Sequence, residues 1–484
     1  MVRVLEWINQ YIWGIPTLTL ILLVGLMISF RTGFVQLTML PKALSTFWHK
    51  LTNSKASAQG VSPYQALCTA LAATVGTGNI AGVAGAIAIG GPGAIFWMWM
   101  CALLGMGIKF AEATLAVRYR TTNLSGEKIG GPMYMICRGL GKTWTPLAFL
   151  YAFFAVVAAF GVGNATQVNA VIGGINSVIE IFGGTSGQNL NLMIGIILAV
   201  LTAFMLTGGA RRIGSIAEGL VPIMSLAYIA LCAGVLLVRL NHIGPAFAAI
   251  IQGAFSPDAV TGGAIGSFFI CLRTGVSRGI FTNEAGMGTA SIAHAAADVR
   301  HPVEQGLMGI MEVFLDTIVI CTLTGLVILC SGVTIPYGID TGVQLTADAF
   351  SAIYGPWIKI PLMLALCCFA IATILGWGLY GARCAQFLFG EKVWRAFTVM
   401  QVLTVLVGAV LQTGTVWLMS EMMNGLMAIP NLIALAFLSP ELVRLTKEFR
   451  AGRLSATGGN TNEDIHQCKP LRTFSHAEVS SAGS

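Results

Sequence analysis

About eleven separate stretches of this chain run apolar for the roughly 20 residues that a helix needs to cross a lipid hydrocarbon layer. They fall near 11–30, 64–90, 93–116, 147–178, 190–208, 213–238, 262–297, 303–331, 356–390, 394–412 and 415–439. In lipid no water can satisfy a backbone amide or carbonyl, so such stretches must close their polar groups inside helices. Composition agrees with this reading. Of 484 residues, 56% are hydrophobic and only 10% charged, too few to cover the surface of a soluble fold. A soluble enzyme, a disordered chain and a nucleic-acid binder are therefore excluded, and no nucleic-acid partner is expected. An all-α integral membrane protein embedded in membrane lipid remains. The first stretch lacks a basic leader and an A-x-A site, which favours a retained helix over a removed signal.

Lys and Arg set the orientation, because basic residues gather on the cytoplasmic side. One set of loops holds Arg31, Lys42, Lys50, Lys55, Arg118, Arg120, Lys128, Arg138, Lys142, Arg211, Arg212, Arg300, Arg383, Lys392 and Arg395. The C-terminal segment adds Arg444, Lys447, Arg450, Arg453, Lys469 and Arg472 on the same side. The opposite side carries only Arg3, Arg239 and Lys359. Eleven crossings thus put the N-terminus outside and the C-terminus in the cytoplasm of a plasma membrane, the inner membrane of a bacterium. One transmembrane domain spans 1–450, and the Gly-, Ser- and Thr-rich residues 451–484 read as a flexible cytoplasmic tail.

Enzyme chemistry finds no support. The eleven Cys form no C-x-x-C pair and sit mostly in apolar runs, as small buried residues do. The six His (His49, His242, His294, His301, His466 and His476) have no ligand spacing, so no transition metal is expected. No catalytic residue and no cofactor are assigned.

Two stretches break their own helical pattern. The second contains Thr74-Val75-Gly76-Thr77-Gly78-Asn79, and the seventh contains Arg273 through Thr289 with Arg278, Glu284, Gly286 and Gly288. Gly-rich polar sequence makes poor helix at membrane depth and is tolerated where it lines a cavity. If the first helix is an extra, stretches two to six (64–238) and seven to eleven (262–439) form two five-helix units. Five is odd, so the units have opposite topology, and each opens on its broken helix. Such a pair of corresponding breaks points to the binding site of a secondary transporter. Gly82, Gly85, Gly90 and Gly91 read instead as close helix packing.

The runs GTGNIAGVAGAIAIGGPGAIFWMW (76–99), KFAEATLAVRYR (109–120), GGPMYM (130–135), RGIFTNEAGMG (278–288) and GWGLYG (376–381) resemble the alanine or glycine:cation symporter family. The resemblance covers about 12–445 and departs from the family pattern at Thr282 and Thr289, which keep a hydroxyl. It implies the leucine-transporter-like fold of inverted five-helix repeats after one extra helix at 11–30. It also implies sodium-coupled uptake of a small neutral amino acid.

Such a substrate presents a carboxylate, which suits free amides at the start of a half-helix. The amides around Gly76, Thr77 and Gly78 take that role, with Asn79 beside them. The resemblance adds Gln167, Phe281 and Trp377 to the pocket, against the plainer reading of interhelix glue and packing aromatics. Sodium needs a shell of oxygens, and the candidates are Thr74, Asn79, Thr282, Asn283, Asp316, Thr317 and Thr373. Asp316 reads as a cation ligand or proton site, or as a structural partner of Arg273 or Arg278. Glu284 is expected to pair with those Arg as a gate or a brace. Lys109 and Glu112, three apart, read as a helix-surface pair. A cation channel built on the T-V-G-T-G run would need four copies around one axis, and one is present. A proton-coupled transporter of another small amino acid, such as glutamine, is the other alternative.

Overall fold

The computed structural model describes residues 12, 14–52, 60–181, 183–185, 187–265, 267–339, 342–410 and 413–452. The N-terminal residues before these and the tail from 453 onward lie outside the described residues. Helices account for nearly all regular structure. Among the described residues the strands are β1 (Thr121–Thr122) and β2 (Lys128–Ile129), paired antiparallel in a small hairpin.

In chain order the helices of six residues or more are α1 (Ile15–Thr32), α2 (Leu40–Thr52), α3 (Pro63–Thr74), α4 (Ala81–Gly90) and α5 (Ala94–Arg118). Next come α6 (Thr145–Phe160), α7 (Thr166–Ile181), α8 (Gln188–Leu206), α9 (Gly209–Val238) and α10 (Leu240–Phe255). The second half contains α11 (Phe268–Asn283), α12 (Thr289–His294), α13 (Pro302–Val313), α14 (Thr322–Ser331) and α15 (Val343–Tyr354). It ends with α16 (Lys359–Phe389), α17 (Trp394–Gly408) and α18 (Thr413–Arg450).

Helices occupy all eleven predicted stretches. Among the described residues seven are long and apolar enough to cross a membrane by themselves, and the bent pair α3/α4 makes an eighth. The rest fall short of that length: α1 and α17 are brief, and the seventh stretch is split. Local chemistry explains the ends. Ser62 caps α3 by accepting the Gln65 amide at 3.0 Å, with Pro63 in the first turn. The His301 ring does the same for Val303 at the start of α13. The last stretch was expected to stop near 439, and α18 instead continues to Arg450 with Pro440 inside it. Three of these helices fall where loops were expected: α2, α10 and α15 do not belong to any predicted span.

Two helices widen into π-type turns in mid-span. Gly161–Ala165 joins α6 to α7, and Phe314–Cys321 joins α13 to α14. Such widenings re-aim side chains and recur at functional positions. Here they sit beside Gln167 and around Asp316 and Thr317. Helix α13 approaches α5 closely because Gly306 and Gly309 carry no side chain. A Cβ at Gly309 would lie 2.7 Å from the Lys109 carbonyl oxygen.

The second break is narrower than expected. Arg273 through Asn283 stay helical, and the chain unwinds only over Glu284–Gly288. Glu284 takes φ +53°, Gly286 φ +92° and Gly288 φ +78°. Glycine adopts that left-handed region freely, whereas Glu284 must be held there. The ten described Cys are all free.

Candidate functional site

The first break begins where α3 ends. Val75 and Gly76 are extended, a short turn covers Thr77–Asn79, and α4 leaves at 59° to α3. Asn79 closes the turn, its Oδ1 accepting the Gly76 amide at 2.8 Å. Its Nδ2 donates to Asp316 Oδ1 at 2.7 Å and to the Asp316 carbonyl at 3.2 Å. The amides of Thr77 and Gly78 have no backbone acceptor among the described residues. They are the free donors that a carboxylate needs.

Three neighbours enclose the break. Thr77 Oγ1 donates to Gln167 Oε1 at 3.1 Å, and Gln167 Nε2 donates to the Val162 carbonyl in the widened turn at 3.1 Å. Gly78 faces the end of α11: a Cβ there would sit 3.0 Å from Thr282 Cγ2 and 3.7 Å from Phe281 Cδ1. Gly76 faces α16, where a Cβ would sit 2.7 Å from Thr373 Oγ1. The break and the residues around 281 therefore meet, although Phe281 and Thr282 belong to an intact helix end.

The seven candidate cation ligands separate into two places. Asn79, Asn283, Asp316 and Thr317 converge, with Thr282 beside Gly78. Asn283 Nδ2 donates to Thr317 Oγ1 at 3.3 Å, and Thr317 Oγ1 donates to Asp316 Oδ2 at 2.7 Å. Asp316, Thr317, Asn79 and Asn283 are fully buried. Thr74 and Thr373 lie apart from this cluster, on either side of Gly76 where α3 meets α16, and both are buried. Thr282 spends its hydroxyl hydrogen on the Arg278 and Gly279 carbonyls of its own helix.

The Asp316 carboxylate accepts from Asn79 and Thr317. Glu284 departs from expectation. Its carboxylate accepts Thr289 Oγ1 at 2.6 Å and Trp377 Nε1 at 2.8 Å, while Arg273 is exposed. The pairing with Arg273 and Arg278 is thus replaced by a link from the second break to α16. That link holds the buried Trp377 indole, whose Cβ crowds against Gly163 in the widened turn.

Lys109 and Glu112 are not a surface pair. Both are fully buried and face different partners. Lys109 Nζ donates to Glu312 Oε1 at 2.8 Å, and Glu312 Oε2 meets His294 Nε2 at 3.0 Å. His294 Nδ1 in turn meets Gln305 Nε2 at 2.6 Å. Glu112 Oε1 accepts the Gly286 and Gly288 amides at 3.1 and 3.0 Å and Asn431 Nδ2 at 2.7 Å. The free amides of the second break are therefore already occupied by a protein carboxylate, unlike those of the first. Sequence reasoning passed over Asn431, Gln305 and His294. A polar side chain at membrane depth was the available signal, since burial there demands a partner.

Beside the basic hairpin a small cavity of about 20 Å³, room for a single water, opens. It is lined by Thr69 of α3, Gly214 of α9, Ile292 of α12, Arg383 of α16 and Lys128 of the hairpin. Arg383 bridges to Glu127 in the hairpin loop at 2.7 Å. Partial burial by itself raises the Glu127 carboxyl, and the Arg383 guanidinium with Asn123 more than reverses that, holding it below its usual range.

Comparison with known proteins matches residues 1–463 to the model of the sodium:alanine symporter family. A sodium/alanine symporter, AgcS, of Methanococcus maripaludis is 42% identical over 455 residues, 93% of this chain and 97% of that protein. A probable sodium/glutamine symporter, GlnT, of Bacillus subtilis is 35% identical over 457 residues, 93% and 91% of the two chains. Among solved structures, MhsT in complex with L-phenylalanine superposes with a TM-score of 0.56 at 15% identity, covering 81% of this chain and 99% of that one. The fold is accordingly the leucine-transporter-like one. On the match along nearly its whole length, this chain belongs to the sodium:alanine symporter family.

Proposed function

We propose that the chain carries a small neutral amino acid, alanine or glycine, into the cytoplasm together with sodium, by alternating access. The observation that carries this reading is the first break. Unpartnered amides of Thr77 and Gly78 lie beside Gln167 and against Phe281, within a bundle whose neighbouring oxygens suit a cation. The substrate carboxylate sits on the amides of Thr77 and Gly78, while that of Gly76, expected to join them, is already held by Asn79; the Gln167 carbonyl oxygen holds the ammonium. Phe281 and Trp377 bound the side-chain space.

Sodium takes oxygens from Asn79, Asn283, Asp316 and Thr317 with Thr282, or from Thr74 and Thr373 with nearby carbonyls. Each sodium moving inward gains about 2.3 kcal/mol per 100 mV, enough for roughly fiftyfold accumulation of a neutral solute. The units 64–238 and 262–439 are the inverted repeats that rock around the site, following the extra helix. The N-terminus faces out, the C-terminus faces the cytoplasm, and the membrane is the bacterial inner one, as the basic loops argue.

Labelled alanine uptake into proteoliposomes, with sodium and proton gradients imposed separately, tests this directly. Sodium-driven accumulation is the expected result. Uptake indifferent to both gradients overturns symport, and uptake driven by protons alone moves the coupling from sodium to Asp316 as a proton carrier.

Two substitutions sharpen the pocket assignment. Gly76→Ala is expected to abolish uptake while the protein still reaches the membrane, because a Cβ would collide with Thr373 Oγ1. Near-normal uptake would mean that the break can shift freely. Trp377→Ala removes the indole that Glu284 holds and is expected to let glutamine compete severalfold better against alanine uptake. An unaltered competition profile would take Trp377 out of the pocket wall.

A further inference from the structure

Helix α2 divides into three stripes by its helical spacing. Ala43, Phe47 and Lys50 face the protein: Ala43 is buried, the Phe47 ring packs tilted at 55° against Tyr64 of α3 with centroids 6.2 Å apart, and Lys50 meets Glu304 of α13 at 3.6 Å. Leu44, Trp48 and Leu51 form a second stripe that nothing among the described residues covers, with exposures of 42%, 66% and 39%. Lys42, Ser45 and His49 form a third, polar and exposed. Such a helix has one side suited to oil, one to water and one to the fold.

Its place tells what covers the apolar stripe. The chain enters α2 directly from α1, whose Leu23 and Phe30 project from the spanning bundle, through a turn at Gly33 and Phe34 with φ +68° and +50°. Phe34 and Leu37, on the connection between the two helices, are exposed apolar residues as well. Lys42 lies 4.1 Å over the Phe449 ring at the end of α18, so α2 sits level with the basic helix ends. An interfacial Trp beside apolar neighbours at that level is the usual anchor in a headgroup layer.

We propose that α2 lies in the interfacial layer of the bilayer, seated on phospholipid by Leu44, Trp48 and Leu51, and that this seat braces the inner half-helix α3. The brace acts through Phe47 on Tyr64 and through Lys50 on the first turn of α13. That turn also holds α3, because Gln305 Nε2 reaches the Pro63 carbonyl at 3.4 Å and meets His294 of α12. Its bearing on transport rests on the reading above, in which α3 must move for the cytoplasmic path to open.

Two measurements on the full chain in phospholipid nanodiscs decide it without relying on transport. With a benzophenone amino acid at position 48, illumination is expected to give a phospholipid adduct by mass. An adduct at twice the chain mass assigns the stripe to a second copy, and a purely intrachain product places Trp48 inside the fold; either overturns the lipid seat. Trp48→Glu is expected to raise hydrogen–deuterium exchange severalfold over residues 62–74 and to leave 188–206 unchanged, while Ser45→Glu on the polar stripe alters neither. The milder Leu51→Gln covers the case in which Trp48→Glu fails to fold. Unchanged exchange at 62–74 overturns the brace. Sodium-driven uptake by the same unaltered preparation reports separately on the transport reading.

Discussion

Asp316→Asn is expected to raise the sodium concentration for half-maximal alanine uptake tenfold or more, a loss of about 1.4 kcal/mol in cation affinity. The substitution keeps an oxygen where Asn79 Nδ2 donates at 2.7 Å, so the first break retains its main tether. The charge is lost, and the Thr317 hydroxyl must turn from donating to accepting, because the oxygen it meets becomes an amide nitrogen. A sodium titration of uptake, set beside thermal unfolding of the purified protein, separates the two effects. Asp316→Ala is the harsher control, since Asn79 Nδ2 keeps only the residue-316 carbonyl and Cys321 Sγ and the Thr317 hydroxyl loses its acceptor, at roughly 1–3 kcal/mol for each lost partner. An unchanged sodium response in Asp316→Asn would reduce Asp316 to a support for Asn79.

The second large effect concerns Lys109. Its ammonium and the Glu312 carboxylate are both fully buried and 2.8 Å apart. Lys109→Met leaves Glu312 with His294 as its remaining partner, and an uncompensated buried charge costs roughly 3–5 kcal/mol. The variant is expected to unfold well below the unaltered protein in a thermal melt. Lys109→Met combined with Glu312→Gln removes both charges and is expected to recover much of that loss, because a neutral pair avoids the desolvation of a lone carboxylate. Equal melting points for the single variant and the unaltered chain would mean that Glu312 is neutral or hydrated in the folded protein.

The functional reading and these two predictions draw on different parts of the same bundle. Asp316 and Glu312 lie four residues apart, one in the widened turn and one at the end of α13. The widening lets Asp316 reach the first break while Glu312 reaches the cluster beneath the second. Glu112 completes this asymmetry. At the second break the amides of Gly286 and Gly288 are satisfied by a carboxylate from α5, whereas at the first Asn79 takes only the Gly76 amide and, among the described residues, no protein group takes those of Thr77 and Gly78. That difference is why the first break is the one assigned to a substrate carboxylate.

Much of this was legible in the amino-acid string. Spans of about 20 apolar residues, the clustering of Lys and Arg, and the Gly-rich runs at 74–79 and 284–288 follow from hydropathy and backbone propensity, which act locally. The sequence also marked Asn79, Asp316 and Thr317 as polar groups at membrane depth, each needing a partner whichever one it finds. The partners themselves belonged to the tertiary structure. Lys109 and Glu112 share a helix face at three-residue spacing, yet that face is buried and each turns to a different helix. Glu284 had two arginines nearby in sequence and found Thr289 and Trp377 instead. Helix α2 passed for a loop because its apolar stripe is too short for a span, and only its seat against α3 and α13 reveals it. Burial and periodicity are properties of a segment, whereas pairing depends on which distant helix arrives alongside. No local pattern encodes that choice.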